Sequence, residues 1–194
     1  MKRISLFVFA VFATLSSFAQ SPVGSVTFIP RVGVTIANIT NSQSDPRIGV
    51  ILGADAQYQA SKVIALSGGL YYSQQGCKDS DGGVTATLAN NYLNIPLLVN
   101  AYVAPGLALK AGIQPAFLLT ADVKASDGSN SGSMDIKDAY ETFDFSIPLG
   151  ISYEFSKFVA DFRYNLGLTK LLKDVGTQDN GKNSVFQFTL GYRF

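Results

Sequence analysis

The residues of this chain that could do chemistry are few and evenly scattered. Eight charged side chains, Arg31, Asp55, Lys110, Asp144, Glu154, Asp161, Arg163 and Arg193, sit among glycine, serine and asparagine inside otherwise apolar stretches. They are four cations and four anions. Two chemistries are open to such a set. Carboxylate pairs such as Asp144 with Asp161 could share general acid and base work, or the opposite charges could simply pair and neutralise one another where burial demands it. The second reading is favoured, because the sequence has no His. Without imidazole, the Ser-His-Asp and Cys-His mechanisms are closed, as is His-based proton transfer. No catalytic residue is assigned, and the chain is read as not an enzyme.

Other reactive signals are weaker. Asp79 and Asp81 in "KDSDGG" have the alternate spacing that opens a calcium loop, but the third acidic ligand and the closing Glu are missing. That segment reads as a surface turn. Cys77 is the only cysteine, so it forms no intrachain disulfide and reads as a free thiol. No glycine-rich phosphate loop is present. No metal and no cofactor are expected. The formal net charge of +1 offers nucleic acid no attraction.

The elements that carry the eight charges explain their spacing. The first residues, "MKRISLFVFAVFATLSSFAQ", combine a basic start, an apolar run and a small-x-small site before Gln20. They read as a secretory signal peptide over residues 1–19, cleaved between Ala19 and Gln20. The remainder, 20–194, reads as one domain. Within it, period-two alternation predicts eight strands near 27–37, 47–59, 63–75, 92–103, 107–122, 141–155, 158–169 and 185–194. The sixth is the clearest: Phe143, Phe145, Ile147, Leu149, Ile151, Tyr153 and Phe155 alternate with Asp144, Ser146, Gly150, Ser152 and Glu154. In the fifth, Lys110, Gly112, Gln114, Thr120 and Asp122 form the polar face. Tight connections at 60–62, 104–106 and 156–157 alternate with long polar ones at 38–46, 76–91, 124–140 and 173–183.

Three properties place the apolar faces against lipid. The strands reach the roughly 9–11 residues that cross a bilayer, longer than the usual soluble strand of about 5–6. Their polar faces carry small residues with a few balanced charges, which suits a narrow lumen. Loop lengths alternate as in outer-membrane barrels, with short periplasmic turns and long outer loops. The aromatics agree. Phe28, Tyr58, Phe155, Phe158, Tyr192 and Phe194 fall near the short-turn end, and Tyr72, Phe143 and Phe186 near the long-loop end, as two interfacial belts. The predicted fold is an all-β, eight-stranded, antiparallel, up-and-down transmembrane barrel, with a polar lumen closed by its own side chains.

The signal segment ending "SSFAQ", the strand "RVGVTIANI", "NNYLNIPLLVNAYV", "KAGIQPAFLL", "FDFSIPLGISYEF" and the ending "FTLGYRF" resemble the PorT-like family of small outer-membrane β-barrels of Gram-negative bacteria. The resemblance covers essentially the whole mature chain. It implies residence in the cell outer membrane, contact with outer-membrane lipid, and a final strand that ends on an aromatic, here Tyr192 and Phe194, resembling the signal read by the barrel insertion machinery. The founding member's tie to protein secretion makes envelope or secretion proteins the expected partners. Three functions stay open: a structural or interaction barrel, an accessory of a secretion or envelope assembly, and a narrow channel or small-ligand binder.

Overall fold

The computed structural model describes residues 21–40, 42, 44–81, 84–126, 131–173 and 181–194. The signal segment 1–19 and its Ala19–Gln20 junction lie outside them. Ten strand segments follow one another: β1 (Val26–Ile39), β2 (Asp45–Gln59), β3 (Ile64–Asp81), β4 (Val84–Asn94), β5 (Leu97–Ala104), β6 (Leu107–Ser126), β7 (Ser131–Asp135), β8 (Phe143–Phe155), β9 (Phe158–Gly167) and β10 (Asn183–Tyr192). Every paired neighbour is antiparallel, and β10 returns to β1 with Arg31 opposite Gly191 and Ile39 opposite Asn183. β4 and β5 form a single stave between β3 and β6. β7 is a short addition to the top of β6. The ring therefore has eight staves and closes on itself. Closure is what hydrocarbon requires, since lipid offers no partner to an open strand edge.

The pleat sorts side chains as lipid would. Along β10, Val185, Gln187 and Thr189 are buried, while Phe186, Phe188 and Leu190 are 41–49 % exposed. The same holds around the ring: Val32, Leu52, Leu70, Val99, Leu109 and Leu149 face out, and Arg31, Asp55, Asn100, Lys110 and Arg163 face in. A water-soluble sandwich has the opposite arrangement. Spanning by strands accounts for the absence, among the described residues, of any helix long and apolar enough to cross a membrane.

The structure departs from the sequence reading at four places. The stretch 76–91 is not a loop: β3 and β4 stay paired from Gly76 opposite Ala89 up to Asp81 opposite Val84. Toward the top of this pair both faces are exposed, at Lys78, Asp79 and Ser80, so apolar alternation fades while the hydrogen-bond ladder continues. For the same reason 124–140 contains ordered strand, with Lys124 opposite Ser133. A bulge leaves Leu119 as the extra residue, since Asn91 faces Thr120 while Tyr92 faces Leu118. The bulge reverses the faces above it. Thr120 is exposed and Asp122 half-exposed, whereas Ala121 turns inward; Leu118, below the bulge, keeps the inward parity of Gln114 and Ala116. Finally, Pro96 interrupts its stave. It has no N–H to give the ladder, and its carbonyl accepts from the Gly69 N–H (3.0 Å) instead.

The short turns are tight for a local reason. Gly106 adopts φ +74°, and a Cβ there would lie 2.5 Å from the Glu154 carbonyl oxygen.

Candidate functional site

Among the described residues, polar side chains from all sides of the ring converge in the lumen, which is arranged in tiers. At the short-turn end Glu154 accepts from the Tyr102 hydroxyl (2.5 Å) and from Arg193 Nη1 (2.9 Å). Gln57 Nε2 donates to Tyr102 (2.9 Å), and Asn100 Nδ2 to Ser67 (3.1 Å). Arg193 also donates to the Ser156 carbonyl (3.1 Å), which ties the last strand to the β8–β9 turn.

At mid-height five charges form a closed cycle with one branch. Arg31 Nε donates to Asp55 Oδ2 (2.6 Å), and Arg163 Nε to Asp161 Oδ1 (2.6 Å). Longer contacts of 4.0 Å link Arg31 to Asp161 and Arg163 to Asp55. Lys110 Nζ joins from β6, 2.5 Å from Asp161 Oδ2. Tyr71 lays its ring against the Arg163 guanidinium, 5.5 Å away. Such charges are stable out of water only when paired and hydrogen-bonded.

The arginines and aspartates fit because glycines lie beside them. A Cβ on Gly69 would stand 2.3 Å from Asp55 Oδ1, one on Gly150 2.7 Å from Arg163 Cγ, and one on Gly191 2.9 Å from Arg31 Cγ. Gly150 is also hemmed by the Phe162 carbonyl oxygen at 2.6 Å. Gly150→Ala should therefore displace the Arg163 stem and cost about 1–3 kcal/mol, as overpacking does. Urea unfolding in lipid vesicles measures this, and an unchanged midpoint would show that the ring yields without strain.

The outer tier corrects one expectation. Asp144 does not join the ion-pair network and does not meet Asp161. It accepts from the Thr169 hydroxyl and from Asn183 Nδ2 (3.3 Å), and Asn183 also donates to Tyr92 (3.3 Å). The cause is distance along the strand. Asp144 lies opposite Ala116, whereas the ring residues Lys110 and Arg163 lie opposite Gly150. Six positions of strand amount to about 20 Å. Asp144 and Asp161 therefore do not form a carboxylate pair. The remaining charges predicted to line the lumen, Arg31, Asp55, Lys110, Glu154, Asp161, Arg163 and Arg193, divide between the middle ring and the Glu154–Arg193 pair at the short-turn end.

Above Asp144 the lumen turns apolar. Tyr92, Ala116, Leu118, Ala121, Tyr140 and Leu171 form one buried cluster, with Ile39, Leu88, Ile136 and Leu172 packed on it. Tyr140 and Leu171 come from the long connections, held by the Glu141 N–H on the Leu171 carbonyl (2.8 Å). Burial pushes the Tyr140 phenol up to about 12, so it stays neutral at any physiological pH. Among the described residues no cluster of His, Cys, Asp and Glu could hold a metal ion.

Outside, the aromatics form chains. Phe155, Phe158, Tyr192 and Phe194 contact in succession at 5.7, 5.5 and 4.9 Å between ring centroids. Phe28 and Tyr58 face outward at the same end, and Phe143 and Phe186 toward the other, where Tyr72 is half-buried. Phe117 packs edge-on against Phe143 at 5.7 Å.

A closed ring of eight staves, apolar outside and charged within, has known relatives. The sequence matches the outer membrane protein β-barrel domain family over residues 18–173. The chain belongs to that family. It is an integral β-barrel protein of the cell outer membrane. Among solved structures it is similar to Ail, the attachment invasion locus protein of Yersinia pestis (TM-score 0.54, 15% identity, 89% of this chain and 100% of that one). It is also similar to a major outer membrane protein of Thermus thermophilus (TM-score 0.53, 12% identity, 88% and 100%) and to Neisserial surface protein A (TM-score 0.50, 11% identity, 87% and 97%). At these identities the likeness is one of fold. No curated protein matches the sequence.

Sequence reasoning passed over several lumen residues of this outer-membrane barrel. Tyr71 and Tyr102 share the inward parity of Ser73 and Asn100, and that parity was the available signal. In the outer cap Tyr92, Ala116 and Leu118 carry the same parity signal, whereas Ala121 lies beyond the bulge and Tyr140 and Leu171 lie outside the strands.

Proposed function

We propose that this protein is a non-enzymatic structural or interaction barrel of the outer membrane, with a lumen that serves as its internal truss rather than as a path. The observation that carries this reading is the tiering of the lumen. A hydrogen-bonded polar plug around Glu154 stands at one end, a buried ion-pair ring in the middle, and the Tyr92–Leu118–Tyr140–Leu171 apolar cap at the other. An eight-stranded ring has just enough interior for side chains, and here they occupy every level. Purified protein in planar bilayers should show no steady unitary conductance. Stable stepwise currents would overturn the reading in favour of a narrow channel or small-ligand binder.

A second reading, an accessory of a secretion or envelope assembly, is supported by the PorT-like sequence features and by one structural observation. The β3–β4 and β6–β7 pairs rise beyond the spanning part of the barrel and present a sheet on the outer side. Under this reading, cross-linking in cells would capture envelope or secretion proteins on that sheet, and deletion would retain cargo in the periplasm. Export by the 1–19 signal segment, assembly by the barrel insertion machinery through the Tyr192–Phe194 end, the interfacial role of the aromatic belts, and the lack of cofactor and of nucleic-acid partners belong to the same proposal.

A further inference from the structure

The charges of the lumen balance over the whole barrel but not level by level. Glu154 and Arg193 neutralise each other at the short-turn end. Asp144 stands about 20 Å up the strand from the ring, held by the neutral Thr169 and Asn183. At mid-height this leaves Arg31, Lys110 and Arg163 against Asp55 and Asp161, three positive to two negative, none more than 4% exposed.

The unused polar atoms at this level are nearly all donors. Arg31 Nη1 and Nη2 and Arg163 Nη2 have no hydrogen-bond partner; Arg31 Nη1 stands 4.0 Å from Asp161 Oδ2 and Arg163 Nη2 4.0 Å from Asp55 Oδ2. Gln187 Nε2 and Thr189 Oγ1 are likewise unpartnered and buried. Both belong to β10, the strand between Arg31 on β1 and Arg163 on β9, with Gln187 opposite Arg163 and Thr189 opposite Asp161. Asp55 Oδ1 is the one unpartnered carboxylate oxygen of the ring. Water could satisfy the donors but would leave a unit charge uncompensated in a low-dielectric interior, which is strongly unfavourable. An anion answers both demands.

We propose that the mid-lumen ring binds one small monovalent inorganic anion of the chloride class, held by the guanidiniums of Arg31 and Arg163 with Gln187 and Thr189 as neutral donors. The interior of an eight-stranded barrel leaves no room for a bulky one. The bound ion completes the charge balance of the ring, so it acts as a structural element of the barrel.

The test uses the full barrel folded in detergent. Protein refolded and crystallised in sodium bromide should show an anomalous scattering peak against the Arg31 and Arg163 guanidiniums. In parallel, replacing gluconate by chloride at constant ionic strength should raise the unfolding temperature with saturation. Lys110→Gln removes the surplus charge and leaves the ion's contacts intact. It should weaken the chloride effect by at least about tenfold while still folding in gluconate. Should that variant fail to fold, Thr189→Val keeps every charge, removes one donor and should weaken the effect several-fold. Bromide found only at exposed surface, or equal unfolding temperatures in chloride and gluconate, would overturn the proposal. A ring filled by water alone, or one in which Lys110 is neutral, would give those negative results.

Discussion

Asp161→Ala should be the most damaging single substitution in the barrel. Asp161 accepts from Arg163 Nε at 2.6 Å and from Lys110 Nζ at 2.5 Å, and it lies 4.0 Å from Arg31. Its loss leaves three buried cations facing Asp55 alone. Removing one partner of a buried pair costs about 3–5 kcal/mol, because the other charge stays behind unpaired. Here two cations lose their direct partner, so the cost should reach the top of that range. Urea unfolding in lipid vesicles measures it, with heat-modifiable gel mobility reporting the folded fraction. The double variant Asp161→Asn, Lys110→Met removes one charge of each sign and keeps the net charge of the ring. It should recover part of the loss. A double variant as unstable as Asp161→Asn alone would show that the ring is held by hydrogen-bond geometry rather than by charge balance.

Replacing both Tyr192 and Phe194 by Ser should have the second largest effect, and it should appear in cells before it appears in lipid. Phe194 is 73% exposed at the end of the last strand, with its N–H on the Phe28 carbonyl (3.1 Å). Tyr192 bridges Phe194 and Phe158 at 4.9 and 5.5 Å, and the Lys157 amine lies 5.7 Å above its ring. Losing two aromatic contacts at about 0.5–1.5 kcal/mol each lowers stability by roughly 1–3 kcal/mol. That leaves a barrel able to close in pure lipid. Loss of the aromatic end should, in contrast, leave most of the chain unassembled in the living envelope. Pulse-labelling with heat-modifiability separates the two, and normal insertion of the variant in cells would refute the role of these residues as an assembly signal.

The parts of this protein that could be read from its sequence are those governed by period two. In β8, Phe143 to Phe155 alternate strictly with Asp144 to Glu154, because one face meets lipid and the other the lumen along the whole span. The number of staves, the inward face of the eight lumen charges and the inverted apolar exterior follow from that pattern. The pattern fails where the solvent changes. From Lys78 to Ser80 successive side chains are all exposed, so polar residues that look like loop continue the ladder instead. It fails again at Leu119, where one extra residue turns Ala121 inward and Thr120 out.

The sequence by itself determined the class: an exported chain, eight amphipathic strands, four charges of each sign destined for the interior, and an aromatic end. Alternation and composition report which solvent each face meets, and that information is local. The tertiary structure alone decided which charges meet. Register and closure bring Arg31 on β1 to Asp55 on β2, and Lys110 on β6 to Asp161 on β9. They hold Asp144 away from all of them, because height in a barrel depends on how each strand is staggered against its neighbours, and no single strand encodes that stagger.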